Sequence, residues 1–146
     1  MSTFQLIRFA GLAIAFALAP GLACAQSALD GFRADANGTV HAIARDEARG
    51  FLLGGALTNV AGLTRRGIAR LDHAGAIDPA FNPNVTAGEV RALAVDGDGR
   101  ILLGGSFHAV GGQDRTRLAR LQPDGTPDGF TAEVDDIVHA IAIDVD

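Results

Sequence analysis

The sequence predicts an all-β protein of tandem four-stranded antiparallel blades. They are propeller-like, open and incomplete, with about two blades and the start of a third. Three observations lead there. The phrase "GFLLGGAL" of Gly50–Leu57 returns fifty residues later as "RILLGGSF", Arg100–Phe107. Residues 40–77 set over 90–127 without a gap give 15 identities in 38 pairs. Phe32, Phe81 and Phe130 recur independently at spacings of 49. A period near fifty with strand-like content belongs to repeat architectures, in which each unit buries its apolar faces against its neighbours.

The chain opens with the layout of an export signal. Arg8 and the amino terminus supply positive charge, and Phe9–Ala19 is an eleven-residue run of apolar residues and glycine. That run is shorter than the roughly 20 residues a bilayer span needs. Pro20 and Gly21 break it, and Ala23-Cys24-Ala25 sets small side chains where a signal peptidase reads. Cleavage between Ala25 and Gln26 is expected, leaving 146 − 25 = 121 residues without a membrane span. An uncleaved anchor and a lipid-attached Cys24 are the alternatives; Pro20 counts against the first, and Leu22, one place too close to Cys24, against the second. The expected organisation is a signal peptide over 1–25, repeats over 29–77 and 78–127, and a truncated repeat over 128–146.

The second unit shows the expected blade in order. Val90–Val95 is largely apolar on both faces, as suits a strand covered on both sides. "DGDG", Asp96–Gly99, is a tight turn of aspartates that bond their own backbone and glycines that accept positive φ. Arg100–Phe107 returns as the second strand, with Gly104 and Gly105 permitting close backbone approach or a bulge. After a "VGGQDRT" loop, Arg117–Gln122 is the third strand; "PDGTPD" turns the chain, and Phe130–Val134 is the expected fourth. Gly54 and Gly55 hold the corresponding places in the first unit. The phrase opens a third time at "VHAIAID", Val138–Asp144.

"VRALAVDGDGRILLGGSF", "RLARLQPDG" and the "DPAFNPN" of Asp78–Asn84 resemble the delta-60 repeat family over Leu29–Asp146. The first unit departs from the pattern where "DEARGF" replaces the glycine-rich turn. The resemblance implies a bacterial secreted or surface protein of propeller-like fold, with no established activity and no catalytic residues to carry over. Closed propellers hold about 4 to 8 blades, so the sequence is expected to be a fragment of a longer repeat protein, or else to assemble from several copies. Unpaired blade edges leave room for self-association.

Composition narrows the function. The net charge is −5, which argues against a nucleic-acid surface. All twelve basic residues are Arg, and Trp and Tyr are absent, so the usual stacking platforms for sugars and bases are missing. Cys24 is the single cysteine, which leaves no disulfide after cleavage.

Each candidate site has a plain structural reading beside it. Asp96-Gly97-Asp98-Gly99 invites a hard cation, yet further acidic ligands are lacking and the turn reads as a hairpin. His41 and His139 share one repeat position that Arg91 holds in the middle unit, so a symmetric metal ring is not expected; His73 and His108 lack companion ligands. Arg70 and Arg120 recur among apolar neighbours and call for a charge partner such as Asp46 and Asp96, or a carbonyl. Neither Ser27 nor Ser106 sits in a nucleophile elbow, and "LLGGSF" lacks the lysine and helix of a phosphate loop. The expectation is a secreted or periplasmic non-enzymatic repeat protein, a scaffold or binding surface, with no cofactor or metal and an unknown partner. The alternatives are part of a periplasmic propeller enzyme whose catalytic blades lie elsewhere, or a gene remnant.

Overall fold

A computed structural model of the chain describes residues 35–144; the export segment with its Ala25/Gln26 junction, and Phe32, lie outside them. The apolar repeats form strands where β-branched and leucine residues alternate, and glycine and Asx turns separate them. The first unit contains β1 (Val40–Asp46), β2 (Gly50–Gly55), β3 (Asn59–Val60), β4 (Leu63–Thr64) and β5 (Ile68–Leu71). The second contains β6 (Val85–Thr86), β7 (Val90–Val95), β8 (Ile101–Gly105), β9 (Ala109–Val110), β10 (Gln113–Asp114) and β11 (Leu118–Leu121). No helix occurs among the described residues, so the chain there is all-β, in several small antiparallel sheets that do not close on one another.

Each unit is a module with an inner sheet, β1-β2-β5 or β7-β8-β11, and an outer hairpin, β3-β4 or β9-β10. The inner sheets carry three full strands, where spacing predicts four. A single bridge holds the fourth position in each, Leu71↔Ile77 and Leu121↔Pro127. Pro127 has no N–H to extend a ladder, and the Asp128 amide already donates to the Arg120 carbonyl at 3.1 Å. Residues 130–134, expected as the fourth strand, therefore leave the sheet without pairing. They continue as Phe81–Asn84 do, which lead into β6.

The "VGGQDRT" segment, expected as a loop, supplies the outer hairpin instead. Ala61 and Gly62, and likewise Gly111 and Gly112, all have positive φ, as a two-residue hairpin turn of the mirror-image type requires. β6 adds to β9 on its free side, as Ala36 bridges Val60 in the first module. Over 138–144 the third unit forms no strand: it runs along the second module, joined to it by the Val138 amide, which donates to the Gly105 carbonyl at 3.3 Å.

The larger core lies between modules. Leu52 and Ile68 from the first pack with Phe81, Val85, Val90, Ile101, Leu103, Phe107, Val110, Ala119 and Leu121. A smaller cluster of Leu53, Leu57, Val60, Ala69 and Leu71 sits within the first module. Neither inner sheet shields both of its faces alone, which is why the second module is needed to bury the first.

Candidate functional site

The repeated charged residues converge on two places. In the first, Arg70 at the centre of β5 is 7% exposed, yet fully engaged. Its Nε and Nη2 donate to Asp78 Oδ2 at 2.9 and 2.6 Å, and its Nη1 donates to the Pro123 carbonyl at 2.6 Å. The guanidinium also lies 4.3 Å from the centre of the Phe81 ring. Arg120 repeats the arrangement: its Nε donates to Asp128 Oδ2 at 2.7 Å, and Phe130 lies 4.8 Å away. The partner of each arginine is thus the aspartate eight residues on, not Asp46 or Asp96. The reason is geometric: the turn after the third strand folds Asp78 or Asp128 back against that strand, whereas Asp46 and Asp96 belong to the turns after β1 and β7. Burial opposes ionisation of Asp78 and Asp128. The Arg70 bond and the Ala80 amide for the first, and the Phe130 amide and Arg120 for the second, still hold both carboxyls below their ordinary value.

Arg65 and Arg115 close the same turn from the other side. Arg65 Nη2 donates to the carbonyls of Asp78 and Pro79, and Arg115 Nη2 to that of Asp128. Both arginines stand among the fifty-residue identities; their role as carbonyl clamps was not legible there.

The second place is a groove of about 360 Å³ between the turns of the two modules, lined by residues 45–49 and 95–99. Asp96 uses its whole carboxylate locally. Oδ1 accepts from the Asp98 and Arg100 amides, and Oδ2 accepts from Arg100 Nε at 2.8 Å. Burial opposes its ionisation, but those donors hold its carboxyl low. The hairpin reading of the Asp96–Gly99 turn accounts for these contacts, and among the described residues no group of three or more His, Cys, Asp or Glu side chains converges as a metal site. Asp46 is only 2% exposed and its Oδ1 accepts from the Ala48 and Arg49 amides. Its Oδ2 has no hydrogen bond and faces Arg49 Nη1 at 3.5 Å, because Gly50 stands where the second module has Arg100. Arg45 and Glu47 pair at 3.2 Å on the exposed rim.

The glycine pairs explain one further contact. Gly55 and Gly105 face Val40 and Val90, while Gly54 and Gly104 face Ala42 and Ala92, so His41 and Arg91 are the extra residues of β-bulges. A bulge re-aims its side chain. Both meet Glu89: His41 Nε2 lies 3.0 Å from Glu89 Oε2, and Arg91 Nη2 pairs with Oε1. The His41 bond is the main cause that holds the Glu89 carboxyl below its ordinary value, with Arg91 adding to it against a desolvation cost. Glu89 was not singled out in the sequence, since Thr39 stands at its repeat position. His73 contacts the edge of Phe51 at 6.4 Å, and His108 and His139 are exposed.

Residues 52–81 and 97–129 match the family model described as "Domain of unknown function (DUF5122) beta-propeller". Each matched stretch covers the later strands of one module and its closing Arg–Asp turn. The modules are therefore similar to propeller repeats of unknown function. No curated protein and no solved structure matches the chain. No helix among the described residues is long and apolar enough to cross a membrane.

Proposed function

We propose that the protein is a secreted or periplasmic, non-enzymatic repeat scaffold of the delta-60 type that presents the turn groove as a binding surface. One observation carries this reading: the repeated charges at the module centres, Arg65, Arg70, Asp78 and their counterparts, spend their hydrogen bonds on closing the fold. The most exposed charges of the groove are Arg45, Glu47 and Asp98, held only by surface pairs, Arg45 with Glu47 and Asp98 with Arg100. Function in repeat folds resides in such loops, carried on a rigid frame.

Expression with residues 1–25 intact tests the export half of the reading. The expected species is found outside the cytoplasm and begins at Gln26 by intact mass; an uncleaved cytoplasmic species defeats it. The binding half is tested by retention of labelled protein on the surface of the producing cells. Replacing Arg45, Glu47 and Asp98 together by Ala is expected to abolish retention and leave the thermal midpoint within about 2 °C, since such exposed groups contribute little to stability. Unchanged retention counts against the groove.

A further inference from the structure

Within the chain, one module docks on the next as a plug in a socket. The socket is Gly54 on β2, where an added Cβ would stand 2.7 Å from Val90 Cγ1 and 2.9 Å from Leu93 Cδ1. Leu52 and Ile68 beside it are fully buried. The plug is the pair Val90 and Leu93, three residues apart on β7.

Both surfaces recur with lesser partners. Val40 and Ile43, the repeat equivalents of Val90 and Leu93, are 37% and 66% exposed. Gly104, equivalent to Gly54, is covered by Val138 and Ile141. That covering segment, "VHAIAID", matches the "VHAIARD" of β1 at six of seven positions. It is a weak substitute for a module, since it forms no strand and has one backbone bond to β8. Leu102 and Leu118, the equivalents of Leu52 and Ile68, stay half-buried beneath it. A cavity of about 590 Å³ lined by Leu118, Val134 and their neighbours adjoins them. Arg117 also differs from its counterpart in the first module. It occupies the positive-φ place of Gly67, against which Val85 packs closely, and its Nη1 donates to the Val134 carbonyl.

We propose that the chain self-associates head to tail: Val40 and Ile43 of one copy enter the Gly104, Leu102 and Leu118 socket of a second copy and displace its Val138–Ile141 segment. The occupant is a second copy because the socket is already filled twice in this chain by one pattern, a valine and a branched aliphatic three residues on. The only further example of that pattern on an exposed strand of the described residues is β1. The tethered segment competes at an effective concentration on the order of millimolar, so association depends on protein concentration. A head-to-tail contact closes into a ring if its rotation permits.

Sedimentation velocity of the full chain over a concentration series tests the proposal. A larger species that grows with concentration is expected. Ile43→Asp, on an exposed site, is expected to keep the far-ultraviolet spectrum and remain monomeric throughout. Val138→Asp with Ile141→Asp removes the competitor and is expected to move association to at least about tenfold lower concentration. Wild type that stays monomeric overturns the proposal, including the case in which Ile43→Cys resists thiol labelling because residues 1–34 of its own chain cover the face. Association that survives Ile43→Asp, or weakens in the double aspartate variant, overturns it as well.

Discussion

Arg70 and Arg120 hold the same repeat position, yet they are built in to different depths. Arg70 has two bonds to Asp78, a bond to the Pro123 carbonyl of the other module and a face on fully buried Phe81. Arg120 has one bond to Asp128 and a half-buried Phe130. Removing one partner of a buried pair strands the other, at about 3–5 kcal/mol when both are fully buried. Asp78 is partly solvated, so Arg70→Ala is expected to cost about 2–4 kcal/mol and Arg120→Ala about 1–2 kcal/mol. Urea denaturation of the two variants checks the order; equal losses defeat the account. A second residue-scale case is Ala61, at φ 50 where the other hairpin has Gly111. A left-handed alanine costs about 1 kcal/mol, so Ala61→Gly is expected to raise stability by roughly that amount, despite the greater freedom of an unfolded glycine. A lowered midpoint would show that the hairpin does not carry this strain. The recurrence of Arg70 and Arg120, and their need of a charge partner, were legible in the sequence. The partner was not, because the comparison ends at Ile77 and Pro127, one residue short of Asp78 and Asp128, which keep the same fifty-residue offset.

At the scale of elements, the two glycines of each pair meet different things. A Cβ on Gly54 meets the side chains of Val90 and Leu93, which can shift; a Cβ on Gly55 meets the Thr39 carbonyl and the Val40 backbone, which cannot. Gly55→Ala is therefore expected to cost more than about 3 kcal/mol and Gly54→Ala about 1–2 kcal/mol, with thermal midpoints as the measure. If Gly54→Ala proves the worse of the two, the module interface is the more rigid contact. The strands around these pairs were legible from alternation and spacing, and so were their turns. The outer hairpin was not: strands of two residues carry no period, and only positive φ at Ala61 and Gly62 separates such a hairpin from a loop. The expected fourth strand failed for the converse reason, since an apolar stretch near Phe130 resembles a strand until its hydrogen bonds are traced.

The whole molecule is held by carboxylates as well as by its shared core, which makes its acid limb predictable. Asp78, Glu89, Asp96 and Asp128 all have carboxyls held below their ordinary values in the folded protein. A carboxyl with a lowered folded pKa binds fewer protons than its unfolded counterpart. Its contribution is thus complete above the unfolded value and is lost as pH falls through the folded one. Ordinary carboxyls titrate near about 4, so these contributions are expected to be constant from neutral pH down to about 5 and to fall steeply below about 4. Glu89 is the informative member, because it joins His41 of the first module to Arg91 of the second. Glu89→Gln is expected to lower stability at pH 7, and the gap from wild type is expected to close on acidification, as the wild-type carboxylate is itself neutralised. Urea midpoints from pH 7 to pH 3 measure both curves. A gap that stays constant to the lowest pH would mean that the glutamate acts through shape and not charge, and the link between the modules would then rest on the apolar core alone.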